Sequence, residues 1–80
     1  MGISSAQLRA ARALLRWSAL DLAKASKVGV ATIRRVETIE GKLPVTAANE
    51  AALRAALESA GVEFIDENGV RLGRPGRRTR

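Results

Sequence analysis

From Ser5 the chain reads SAQLRAARALLR, with Leu8, Ala11 and Leu15 recurring at the spacing of one helix face, Leu14 widening that stripe, and Arg9 and Arg16 lying off it. The pattern predicts an amphipathic helix. In the following WSALDLAKAS, Ser18 and Asp21 stand three apart like the two members of a capping box, and Trp17 and Leu22 occupy the positions of a hydrophobic staple. A second helix is therefore expected to start at Ala19, with Trp17 fixing its entry angle; stacking of Trp17 on a base or ligand is the weaker alternative. The segment KVG breaks the pattern after Ser26, and a new period of Val30, Ile33 and Val36 predicts a short third helix with Gly29 as its N-cap.

The stretch TIEGKLP carries Gly41 and Pro44 and reads as a loop. Thr46 can then cap AANEAALRAALESA, whose Leu53, Leu57 and Ala60, backed by Ala52 and Ala56, make one apolar stripe that Gly61 ends. Two β-rich runs follow around Asn68-Gly69, the dipeptide best suited to a tight hairpin. The fold class expected is thus mainly α: a four-helix domain spanning 1–72, closed by a hairpin at 62–72, with a basic tail at 73–80 that is expected to be disordered.

The hairpin register decides what its faces look like. A two-residue loop pairs Glu67 with Val70 and Ile65 with Leu72. Ile65, Val70 and Leu72 then share one apolar face, while Val62 and Phe64 share the other. One face can pack on the fourth helix, and the second wants a cover that the hairpin of a second copy would provide, making Ile65, Val70 and Leu72 a candidate dimer interface. A four-residue loop from Asp66 to Gly69 is the alternative, and it leaves only one apolar face. A monomer with a capping hairpin is the corresponding simpler arrangement.

Charge sharpens the picture. The 80 residues carry a net charge of +6 and a pI near 11.4, which favours a polyanionic partner. Met1 to Leu43 holds eight basic and three acidic residues, Pro44 to Leu72 two and five, and Gly73 to Arg80 four and none. One face can therefore meet phosphates while another is kept away from them. The chain contains no cysteine and no histidine. Cysteine-based zinc sites, disulfides and thiolate or imidazole catalysis are excluded, and the remaining carboxylates, such as Glu50 and Glu58, have no paired partner for acid-base work. No enzyme activity, metal or cofactor is expected. No window approaches the roughly 18 apolar residues of a membrane span. The start MGISSA lacks the order of a signal peptide, and Ala6 breaks the myristoylation pattern, so a cytoplasmic protein without a membrane partner is expected.

Two short helices joined by a tight turn, the second with arginines on its free side, are the arrangement of a helix-turn-helix. Ala23 is small where the helices must approach. Leu22, Val28, Ile33 and Val36 supply the core stripe, leaving Val30, Ala31, Arg34 and part of Arg35 to point outward. Over this stretch the chain, RAARALLRWSALDLAKASKVGVATIRRVE, resembles the Cro/C1-type (XRE) helix-turn-helix DNA-binding domain. The match runs from about Leu8 to Pro44 and rests on the Leu22-Ala23 pair, the Val28 turn, Thr32-Ile33 and Glu37 at the family's spacings.

The resemblance implies a small lambda-repressor-like domain and a bacterial or phage transcription regulator. It would bind double-stranded DNA at a palindromic operator as a homodimer, with recognition helix 29–37 in the major groove. Base contacts are implied for Val30, Ala31, Arg34 and Arg35, and backbone contacts for Lys27, Gly29 and Thr32. Arg16 and Lys42 are candidate phosphate contacts by charge, as are Arg77 and Arg78 in the tail. Arg12 and Glu37 are implied to form a structural ion pair. The chain departs from the family's pattern at Ala19, where a glutamine that reaches a phosphate is replaced, at Gly29-Val30 and at Lys27. Gly29-Val30 replaces the frequent Ser/Thr-Gln, which removes a glutamine contact to adenine and leaves thymine methyl groups to Val30 and Ala31. Lys27 stands where glycine is commonest, and a positive φ there costs on the order of 1 kcal/mol.

The competing expectation is a protein-binding helix-turn-helix module of the anti-activator or antitoxin kind. RNA polymerase or another regulator is a further possible partner, for which Glu37, Thr38 and Glu40 stand at the end of the third helix. The operator, the sign of regulation and any effector are not legible in these residues.

Overall fold

A computed structural model describes residues 3–39, 45–65 and 69–73 of the chain. They form α1 (Ser5–Leu15), α2 (Ala19–Ser26), α3 (Val30–Glu37), α4 (Ala47–Ser59), β1 (Val62–Phe64) and β2 (Val70–Leu72). The expected mainly α domain with a C-terminal hairpin is the fold observed. The predicted tail and most of the loop after α3, including Glu40, Lys42, Arg77 and Arg78, lie outside the described residues.

Side chains close to their own backbone start α1, α2 and α4. Ser4 caps α1 reciprocally with Gln7: the Gln7 N–H donates to Ser4 Oγ at 3.1 Å, and the Ser4 N–H donates to Gln7 Oε1 at 3.0 Å. Ser18 and Asp21 do the same for α2, at 3.0 and 2.9 Å. At α4 the Asn49 N–H donates to Thr46 Oγ1 at 3.1 Å. Each cap satisfies an N–H group that the helix itself cannot pair. Gly29 offers α3 no such side chain.

The helix ends are less ordinary. Arg16 and Lys27, which close α1 and α2, sit in the left-handed region at φ 59° and 65°. An L-residue with a Cβ is strained there by roughly 1–2 kcal/mol. Each carries its positive charge at the negative end of a helix dipole, which offsets part of that strain. Gly61, at φ 107°, turns the chain out of α4 without that penalty.

The core gathers Leu8 and Ala11 of α1, Leu22 of α2, Val28 of the turn, Ile33 and Val36 of α3, Leu53 and Leu57 of α4, and Val62 of β1. Leu15, Trp17 and Ala23 pack against it at partial burial. Ile3 is also buried, and its N–H donates to Glu50 Oε2 at 2.7 Å, tying the segment before α1 to α4.

The hairpin corrects the predicted register. Val62 lies opposite Leu72, Glu63 opposite Arg71 and Phe64 opposite Val70. Ile65 therefore does not pair with Leu72, nor does it share a face with Val70 and Leu72. Residues directly opposite share a face, so Val62, Phe64, Val70 and Leu72 line one side, while Glu63 and Arg71 form an ion pair on the other at 2.9 Å. The apolar side packs on α1 as well as α4: Val62 enters the core with Phe64 and Val70 against it, and Gln7 Nε2 of α1 donates to Gly69 O at 3.1 Å. Arg54 of α4 lies 4.8 Å from the centre of the Phe64 ring. This register is given by neither the two-residue loop nor the four-residue loop from Asp66 to Gly69; it gathers four apolar residues on one face, whereas the Asn-Gly turn would have split them between two. Ile65, Val70 and Leu72 therefore do not form the single face on which a dimer was expected, and Ile65 and Leu72 are 54% and 46% exposed.

Two outcomes follow from the caps. Lys27→Gly relieves the left-handed strain at the expense of a looser unfolded chain, and it should raise stability by about 0.5–1 kcal/mol in urea titrations. The Ser18 backbone N–H, followed by the Ser18 hydroxyl, holds the Asp21 carboxyl below its ordinary value of 3.8. A depressed carboxylate stabilises the fold above its unfolded pKa, and that contribution is lost as pH falls through the folded one. The midpoint gap between wild type and Asp21→Asn, read by thermal melts, should be present at pH 7 and close as the pH drops below about 3.8.

Candidate nucleic-acid interface

At about 100° per residue, α3 divides cleanly. Ile33, Val36 and Glu37 are buried on one side, and Ala31, Arg34 and Arg35 are exposed on the other. Ala31 lies on the midline of the exposed face, with Arg34 and Arg35 flanking it one turn later. Val30 is half-buried and packs against the core. The sequence placed it among the outward side chains, but it begins the stripe of Ile33 and Val36 and is drawn inward by them. Thr32 is also half-buried.

The C-terminal end of α3 is gripped by polar side chains of α1. Ser5 Oγ donates to Val36 O at 2.8 Å, and Arg9 Nη1 donates to Glu37 O. Arg12 Nε and Nη2 donate to Glu37 Oε2 and Oε1 at 2.7 and 2.8 Å, while its Nη1 donates to Trp17 O at 2.8 Å. The carboxylate is 9% exposed and the guanidinium side chain 23%. The bond to Glu37 holds Arg12 above its already high ordinary pKa, against the opposing effect of burial. Ser5, Arg9 and Arg12 recur at i, i+4 and i+7, so they form one helix face, directed at the last carbonyls of α3 and the Glu37 carboxylate. The sequence resemblance assigned Arg12 and Glu37 to each other but left Arg9 without a partner, merely off the apolar stripe. The same spacing rule, applied to polar rather than apolar residues, would have found it.

The other cations stand differently. Among the described residues, Arg16, Lys24, Lys27, Arg34 and Arg35 make no hydrogen bond or ion pair through their side chains, and all five are exposed. Gly29 is exposed at the start of α3, and a Cβ built there meets nothing within 4 Å. Glu37 is committed to Arg12 and is not free to meet another protein, while the Thr38 hydroxyl donates to Arg35 O at 2.8 Å. An open groove of about 540 Å³ runs between Trp17, the end of α2 and α4, lined otherwise by alanines and by Ser26 and Ser59. It brings no ionisable side chain to its walls. No cluster of three metal-ligating side chains occurs among the described residues, and none of their helices is long and apolar enough to cross a membrane.

Comparison with protein-family models, curated proteins and solved structures finds no match to this chain.

The Arg12–Glu37 contact should dominate stability among the polar interactions. Replacing Glu37 with Gln strands a largely buried guanidinium, and it should cost about 2–4 kcal/mol, the partial exposure of Arg12 keeping it below the full penalty of a sealed pair. Arg12→Ala should cost a similar amount and the double variant much less than their sum, as measured by denaturant titration.

Proposed function

We propose that the chain is a sequence-specific regulator that binds double-stranded DNA by laying the Ala31, Arg34 and Arg35 face of α3 in the major groove. One observation carries this reading: arginines of the same chain are divided between two uses. Arg9 and Arg12 are bonded into the fold, whereas Arg34 and Arg35 are exposed and have no partner among the described residues. Two adjacent cations in the last turn of an eight-residue helix gain at most a favourable place in its dipole and bond to no other part of the fold. They match the O6 and N7 acceptors of guanine, where a good bidentate contact is worth about 1–3 kcal/mol.

The strained residues support the same reading. Arg16 and Lys27 hold costly left-handed conformations at two helix ends, and both present a long cationic side chain to solvent. Contact with backbone phosphates would use those charges to position the domain without reading sequence. The resemblance of residues 8–44 to the Cro/C1-type domain points the same way.

The test is selection of bound duplexes from a random pool, followed by titration across salt concentrations. We expect log K to fall linearly with log salt, by about 0.9 per phosphate neutralised. A palindrome with half-sites about 34 Å apart would report two chains on the DNA, and a single half-site would report one. Arg34→Ala and Arg35→Ala should each weaken the selected site by roughly five- to a hundredfold while leaving binding to random sequence nearly unchanged. Lys27→Gly should instead weaken all sequences alike and reduce the salt slope by about one. Absence of any bound duplex in dilute buffer would overturn the proposal.

A further inference from the structure

The exposed face of α3 is chemically one-sided. Arg34 and Arg35 are donors only, Ala31 ends in a methyl group, and neither amide nor carboxylate stands among them. Glu37, the one acidic residue of the helix, is turned away and bonded to Arg12. Thr32 is half-buried and lies about a quarter-turn or more from the Ala31 midline.

A face of this kind cannot accept a hydrogen bond from the N6 amino group of adenine or the N4 amino group of cytosine. Two features of the major groove remain readable to it. One is the paired acceptor edge of guanine. The other is the methyl group at C5 of a pyrimidine, which thymine carries and cytosine lacks unless it is methylated. The spacing joins them. Ala31 and Arg34 lie on the same side of the helix and about 4.5 Å apart along its axis, against a rise of about 3.4 Å between base pairs. The alanine methyl and the arginine fork therefore fall on neighbouring base pairs.

Resting on the DNA-binding reading, we infer that α3 reads a guanine next to a 5-methylated pyrimidine, and that it takes thymine and 5-methylcytosine alike at that position. Where the neighbouring pyrimidine is cytosine, the protein distinguishes methylated from unmethylated DNA. Ala31 is the specificity-determining residue for the methyl group and Arg34 for the guanine. Arg35, on the other flank of Ala31, meets a second guanine.

The experiment uses the wild-type chain and a duplex enriched from the random pool. At each thymine beside a guanine, the base is replaced in turn by deoxyuridine, cytosine and 5-methylcytosine, and affinity is read by fluorescence anisotropy. At one such position deoxyuridine should bind about fourfold more weakly than thymine, the worth of one buried methyl group. There 5-methylcytosine should exceed cytosine by a similar factor. Because the changes are made in the DNA, the folding of a variant does not enter. Ala31→Gly, with its helix content checked by circular dichroism, should lose both differences and keep the preference for guanine. Equal binding of thymine and deoxyuridine at every such position would overturn the inference, as would methyl discrimination that persists in Ala31→Gly. Either result leaves DNA binding itself standing. A pool that yields no bound duplex would overturn both readings together.

Discussion

The buried carboxylate of Glu37 and the guanidinium of Arg12 meet at the point where α1, α3 and the junction before α2 converge, and the placement of every other exposed group on α3 follows from that contact. An eight-residue helix has too few internal hydrogen bonds to hold itself. Ile33 and Val36 give it an apolar anchor, but two side chains on one stripe leave the helix free to roll about its axis. The fork of Arg12 on Glu37, with Arg9 and Ser5 on the last carbonyls, removes that freedom. With the roll fixed, Ala31, Arg34 and Arg35 are turned outward together.

The same residue type thus serves opposite ends in one small domain, and burial decides which. An arginine whose donors meet carbonyls and a shielded carboxylate is structural; one whose donors meet only water is free for a ligand. Net charge alone would not separate the two. The +6 of the chain includes cations already neutralised within the fold, and among the described residues the cations left for a polyanion are Arg34 and Arg35 of α3, Lys24 of α2, Lys27 in the turn and Arg16 at the end of α1.

Much of this was legible in the residues. The Ser18-Asp21 box, the Gly29 cap, the Thr46 cap and the stripe of Leu22, Val28, Ile33 and Val36 are local or periodic signals, and local physics places them. Three features were harder to read. The Ser4-Gln7 box obeys the same rule as Ser18-Asp21 but precedes the first apolar stripe, where attention to hydrophobic period does not reach. Val30 belongs to both the apolar stripe and the exposed N-terminal turn, and only packing could choose between them. The hairpin register was misjudged because a strong two-residue turn signal competed with gathering Val62, Phe64, Val70 and Leu72 on one face. Turn propensity is worth less than seating Val62, Phe64 and Val70 against the core.

The three donors that Arg12 spends on Glu37 and Trp17 have a bearing on how α3 would engage any partner. The helix reaches its ligand already oriented, with its loss of rotational freedom incurred during folding. Association then draws on rigid complementarity, and a surface that fits poorly cannot be accommodated by turning the helix a little. Discrimination is thereby built into the scaffold as well as into the side chains that touch the ligand.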